Sequence, residues 1–147
     1  MSDAARRILL AILFLGIAGI SLELLLLAHT EDIYQLIPLL LFGVAVVATG
    51  TVVRRPSGAT VRLFRAVMLL FVISGIVGMY LHFQVNMEFQ IEMDPALSGW
   101  PLFQKAILAK TPPALAPGSM IQLGLIGLAY TFRHPALGSG GDPGRSA

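Results

Sequence analysis

Two residues could do chemistry because each carries a polar group where one is costly. Glu23 lies in an apolar run, Ile8 to Ala28, whose only other strongly polar member is Ser21. A carboxyl group inside a membrane-length run costs free energy unless it is neutralised or paired, and often marks a functional site. His82 sits at the end of a second such run, Ala66 to Phe83. Gly16, Gly19 and Glu23 recur at spacings of three and four, as do Ser74, Gly78 and His82. On helices each group would top a smooth stripe that lets a neighbour approach closely. At about 1.5 Å of rise per residue, Glu23 stands roughly 22 Å beyond Ile8 and His82 roughly 24 Å beyond Ala66. The matching depths predict a Glu23–His82 contact able to pass a proton. The competing, purely structural reading has Glu23 protonated or reaching for the headgroups, and His82 merely hydrogen-bonded among them.

Further polar groups are expected at the same level: Gln122, Asn86, Tyr34 and Gln35. Pro38 cannot donate to the Tyr34 carbonyl, which leaves that oxygen as an extra acceptor. Together they predict an outer polar layer lining a pocket. The chain has no cysteine, which removes disulfides, thiolate metal sites, thioether haem and iron–sulfur clusters. A metal or haem would have to use His82, His29, Glu23 or Glu88, and no ligand spacing such as HExxH joins them. His29, beside Glu31 and Asp32, reads as a solvated loop residue. The sequence demands no cofactor, and haem or a metal is the alternative. No nucleophile, base and orienting group can be assembled, so the chain reads as a non-enzyme.

The elements that position these residues are set by composition. Of 147 residues, 56% are hydrophobic and 12% charged, too apolar a balance for an ordinary soluble domain. The expected fold is an all-α membrane protein, a four-transmembrane-helix bundle with spans at about 8–28, 33–53, 66–83 and 114–132. Residues 84–113 form an outer excursion, and 133–147, rich in Gly, Ser and Pro, a flexible cytoplasmic tail. Arg6 and Arg7 begin the first span, Arg54 to Arg65 supplies four arginines, and Arg133 and Arg145 follow the last. All eight arginines therefore fall on one side and Lys105 and Lys110 on the other, which places both termini in the cytoplasm. The arginine-rich, Ala-, Gly- and Pro-rich usage suggests a bacterial inner membrane.

The excursion has its own pattern. From Gln84 to Asp94 polar and apolar residues alternate without a break, the period-2 signature of a half-buried strand. A short surface helix from Leu97 to Lys110 follows, with Trp100, Phe103, Ala106 and Ile107 available to one apolar side. A lone strand leaves backbone groups for another chain to pair, so Glu88, Glu92, Asp94 and Trp100 form the expected partner surface.

Three functions follow. An accessory or assembly subunit would engage a membrane protein partner, or a second copy, through the strand and helix. A redox, metal or haem protein would use the Glu/His layer. A small proton-coupled transporter would need oligomers, and its inner half offers little polarity beyond Thr49 and Thr51. The bilayer is a partner in each reading. Nucleic acid is not, because the arginines sit at segment ends and form no basic face.

Overall fold

A computed structural model describes residues 1–27, 33–109 and 115–138, and these are helical and irregular with no strand among them. Among the described residues six helices follow in order: α1 (Asp3–Leu26), α2 (Ile33–Arg54), α3 (Gly58–Met93), α4 (Gly99–Ile107), α5 (Leu115–Tyr130) and α6 (Pro135–Gly138). The first three are long and apolar enough to cross a membrane. Helix α5 is apolar but has only 16 residues, about 24 Å of rise.

Local chemistry sets the helix starts. Ser2 caps α1 by accepting from the Ala5 amide at 3.3 Å. Ser57 and Thr60 cap α3 reciprocally, each side chain accepting from the other residue's backbone N–H. With α2 ending at Arg54, the link to α3 shrinks to residues 55–57, shorter than the Arg54–Arg65 loop expected from sequence.

Long helices α1, α2, α3 and α5 close a ring in which neighbours run antiparallel. α3 and α5 share the most extensive interface, α2 packs on the other side of α3, and α1 bridges α2 and α5. Glycines allow the closest approach: a Cβ on Gly75 would lie 2.6 Å from the Pro117 carbonyl, and one on Gly124 would lie 2.7 Å from the Met68 carbonyl. The core follows these seams, with Leu13, Ile17, Phe42, Phe64, Met68, Phe71 and Leu123 buried. Phe42 meets Phe71, and Phe64 meets Tyr130, edge to face at 5.5 and 5.6 Å. Outside the ring lie exposed Leu15, Leu26, Leu40, Val47 and Leu70, an apolar jacket of the kind that lipid covers.

The largest correction concerns 84–94. Residues 84–93 are not a strand but the end of the 36-residue helix α3, with Asp94 as its C-cap. An elongating helix gains one hydrogen bond per residue without a new nucleation cost, and Gln, Glu and Met are good helix formers. A solitary strand would have left its backbone groups unpaired. On the helix, Phe83, Asn86, Met87 and Gln90 are partly covered while Val85, Glu88, Phe89 and Glu92 are exposed, a 3.6-residue rhythm. What covers them is α4, folded back after a turn at 95–96 and a left-handed Gly99 (φ 60°).

A second difference lies after α5. Residues 133–138 form a turn and the short α6, which packs against α3. Of the predicted flexible tail, 139–147 falls outside the described residues.

Candidate functional site

The ring leaves a cavity of about 440 Å³ towards the end opposite the arginines. All four long helices line it: Ile20 and Leu24 from α1, Gln35, Ile37 and Pro38 from α2, Ser74, Val77, Gly78, Leu81, His82 and Val85 from α3, and Ala116, Pro117 and Met120 from α5. It exists because diagonal helices stand apart. Among the described residues no Cα of α1 comes within 8 Å of one of α3, nor any of α2 within 8 Å of one of α5. Prolines 38 and 117 sit on opposite walls, and Gly78 keeps its wall thin opposite Pro117.

Polarity is layered along the cavity. Gln35 and His82 stand towards its outer end, and Ser74 lies eight residues, roughly 12 Å, deeper on α3. The remaining lining is aliphatic apart from the two prolines, Ala116, Gly78 and Met120. Towards the arginine end the next layer is closed by Phe42, Phe71, Met68 and Leu13. Thr49 and Thr51 do not extend a polar path through it, since their hydroxyls donate to Ala45 and Ala48 carbonyls of their own helix at 2.6 and 2.7 Å.

The sequence-derived polar layer is therefore split. His82 and Gln35 line the cavity. Glu23 is exposed on the outer surface of α1, because the packed face of that helix is Leu13, Ile17 and Leu24 and the Gly16–Gly19–Glu23 stripe is not. Gly16 does meet Leu123, yet a Cβ on Gly19 would touch nothing within 4 Å. With α1 and α3 diagonal, the expected Glu23–His82 contact does not form; sequence depth matched, but ring order separates them. Gln122 faces outward from α5. Asn86 serves the α3–α4 junction, donating from Nδ2 to the Ala106 carbonyl at 3.1 Å. The Tyr34 side chain and His29 lie outside what is described. Among the described residues no three His, Cys, Asp or Glu side chains converge as metal ligands.

A second site is the hairpin of the α3 end and α4. Phe103 packs on Phe83 at 5.6 Å and stacks with Trp100 at 5.0 Å, and Ala106 is fully buried. Much of its apolar surface still faces outward: Phe89 is 56% exposed, Met93 71%, Trp100 66% and Leu108 79%. Glu88, Glu92 and Asp94 are exposed among them. The partner-surface residues expected from sequence thus share one projecting element, although it is helical.

Sequence reasoning missed the closure at the arginine end. Arg65 donates from Nε to the Thr131 hydroxyl and from Nη2 to the Thr131 carbonyl, both at 2.9 Å. Arg6, 8% exposed, donates from Nη2 to the Arg133 carbonyl at 2.9 Å. Two guanidiniums thereby satisfy carbonyls at and just beyond the C-terminus of α5, where the helix dipole also favours a cation. Buried His134 accepts the Ala136 amide at Nδ1. Burial, and then Arg6 and Arg65, hold its pKa below the ordinary 6.5. The available signal was the pairing of Arg6 at one terminus with Thr131 to His134 at the other. No protein-family model matches this chain, and neither a curated protein nor a solved structure is significantly similar to it.

Proposed function

We propose that this chain is an accessory or assembly subunit of a bacterial inner-membrane complex, spanning the bilayer four times with both termini cytoplasmic and recruiting a membrane protein through the α3–α4 hairpin. The carrying observation is the length of α3. Thirty-six residues rise about 54 Å, against roughly 30 Å of hydrocarbon, so its far end projects beyond the bundle. That projection keeps large apolar side chains exposed beside three carboxylates, the makeup of a docking surface with an apolar centre and charged rim. Strand addition is replaced by helix-to-helix packing, and the partner's matching surface is apolar with basic residues opposite Glu88 and Glu92.

The test is photocrosslinking in membranes from a residue introduced at Phe89 or Trp100, with Leu40 on the jacket as control. A discrete adduct from the hairpin positions, lost in Glu88→Lys/Glu92→Lys, is expected. An adduct of twice the chain mass identifies a second copy as the partner. Hairpin labelling no more specific than that from Leu40 sinks the proposal.

A further inference from the structure

We infer that the partner of the α3–α4 hairpin is a second copy of this chain, related by a two-fold axis along the membrane normal, with Lys105 of each copy meeting Glu88 and Glu92 of the other. The inference rests on the recruitment reading above and names its partner. The hairpin carries both halves of such a contact. Phe89 and Met93 stand one turn apart on α3, Pro101, Lys105 and Leu108 recur at spacings of four and three on α4, and all five are exposed. Beside them a groove of about 540 Å³ is lined by Gln90, Gln104, Lys105 and Leu108, with Pro101 and Ala109. Lys105 can only donate hydrogen bonds, and the carboxamides of Gln90 and Gln104 can donate beside it, so the groove suits an incoming carboxylate. Glu88 and Glu92, exposed on the same element, are such groups. No arginine lies between Arg65 and Arg133, so the described cation of the hairpin is Lys105, on the helix that lacks the acids. One acidic helix end beside one lysine-bearing helix makes the surface complementary to itself.

Height along the bundle matches as well. Asn86 donates to the Ala106 carbonyl at 3.1 Å, which ties the neighbouring Lys105 to the level of Asn86 on α3. Glu88 stands two residues, about 3 Å, beyond Asn86, and Glu92 roughly one turn further. Copies inserted in one bilayer with the same orientation are related by an axis along the membrane normal, which leaves heights unchanged. A two-fold beside the hairpin sets α3 of one copy against α4 of the other, so the contact is made twice and the assembly closes at two chains. The second copy thereby supplies the apolar surface with a basic residue that the acidic rim calls for.

The full chain, purified and carrying a donor or acceptor dye on Ala59→Cys, tests this in lipid vesicles, where no other protein can bridge two copies. Energy transfer between natural copies should persist on dilution with lipid. Glu88→Lys/Glu92→Lys copies mixed among themselves, and Lys105→Glu copies mixed among themselves, should associate roughly tenfold more weakly, because each contact is then like-charged. Mixing the two variants restores opposite charges at both contacts, and transfer should return to the natural level. A photocrosslinker at Phe89 of the otherwise natural chain should join residues 101–108 of the other copy, a readout that does not depend on the folding of the charge variants.

Absence of transfer between natural copies overturns the inference. So does equal transfer in every combination, which moves the contact away from the hairpin, or a mixed pair no stronger than its components. A discrete Phe89 adduct with a different protein in native membranes, together with no transfer in vesicles, removes the second copy and leaves recruitment standing. Quenching of Trp100, the chain's single tryptophan, by brominated lipid with neither transfer nor a specific adduct assigns the hairpin to the bilayer surface and removes both.

Discussion

Gly75 and Gly19 differ only in what stands opposite them. A methyl at Gly75 would meet the Pro117 carbonyl and the Ile121 amide nitrogen at 2.6 and 3.0 Å, backbone atoms that move only with their helix. Gly75→Ala should therefore cost about 1–3 kcal/mol, read as a lower unfolding midpoint in detergent. Gly19→Ala meets open space and should be neutral or stabilise by up to ~1 kcal/mol through helix propensity. His134 predicts a pH effect. Its folded pKa lies below the ordinary 6.5, so the unfolded chain takes up its proton first as pH falls. The associated stability is complete above pH 6.5 and is lost as pH drops through the depressed folded value. Thermal midpoints measured across this window should fall more steeply in the natural chain than in His134→Gln. These environments were not legible in the sequence: glycine spacing marked packing surfaces, but only the α3–α5 register decided which glycines face backbone.

At the scale of the element, residues 84–93 show how a regular pattern can mislead. Alternation reports two faces of a strand only when a neighbouring strand exists to take the backbone bonds, and here the better partner was the helix already formed from Gly58. Spin labels placed singly along 82–93 should show accessibility minima near Phe83, Asn86–Met87 and Gln90. A strict two-residue alternation would instead restore the strand. The start of the same helix was also misplaced, since the reading from sequence kept Arg54–Arg65 as a loop and began the span at Ala66, whereas the Ser57–Thr60 cap starts the helix at Gly58. Ser57→Ala should cost about 1 kcal/mol of stability, measured by the same detergent unfolding.

At the scale of the molecule, the ring order separates Glu23 from His82 and opens the cavity between the diagonals. The chain has no cysteine of its own, so introduced pairs read this order directly. Gly16→Cys/Leu123→Cys joins neighbouring helices and should form a disulfide under mild oxidation. Glu23→Cys/His82→Cys belongs to helices whose Cα atoms stay more than 8 Å apart, beyond ordinary disulfide reach, and should not. For the proposed orientation, a cysteine at Ser98 should react in intact cells with an impermeant maleimide, and one at Ser57 only after lysis. The reverse pattern would invert the topology.

Sequence alone determined the broad class and the placement of most helices, because hydropathy is a sum over neighbouring residues. The long apolar runs predicted helices, and structure retained them as α1, α2, α3 and α5 with adjusted ends. It also marked Glu88, Glu92, Asp94 and Trp100 as a group, since they lie close along the chain. Tertiary structure alone decided which faces meet. It turned Glu23 outward, drew His82 and Gln35 to a common cavity, and joined Arg6 to the carbonyl of Arg133, 127 residues away. Such choices depend on how whole helices pack around a ring, where many residues contribute at once and no local spacing states the outcome.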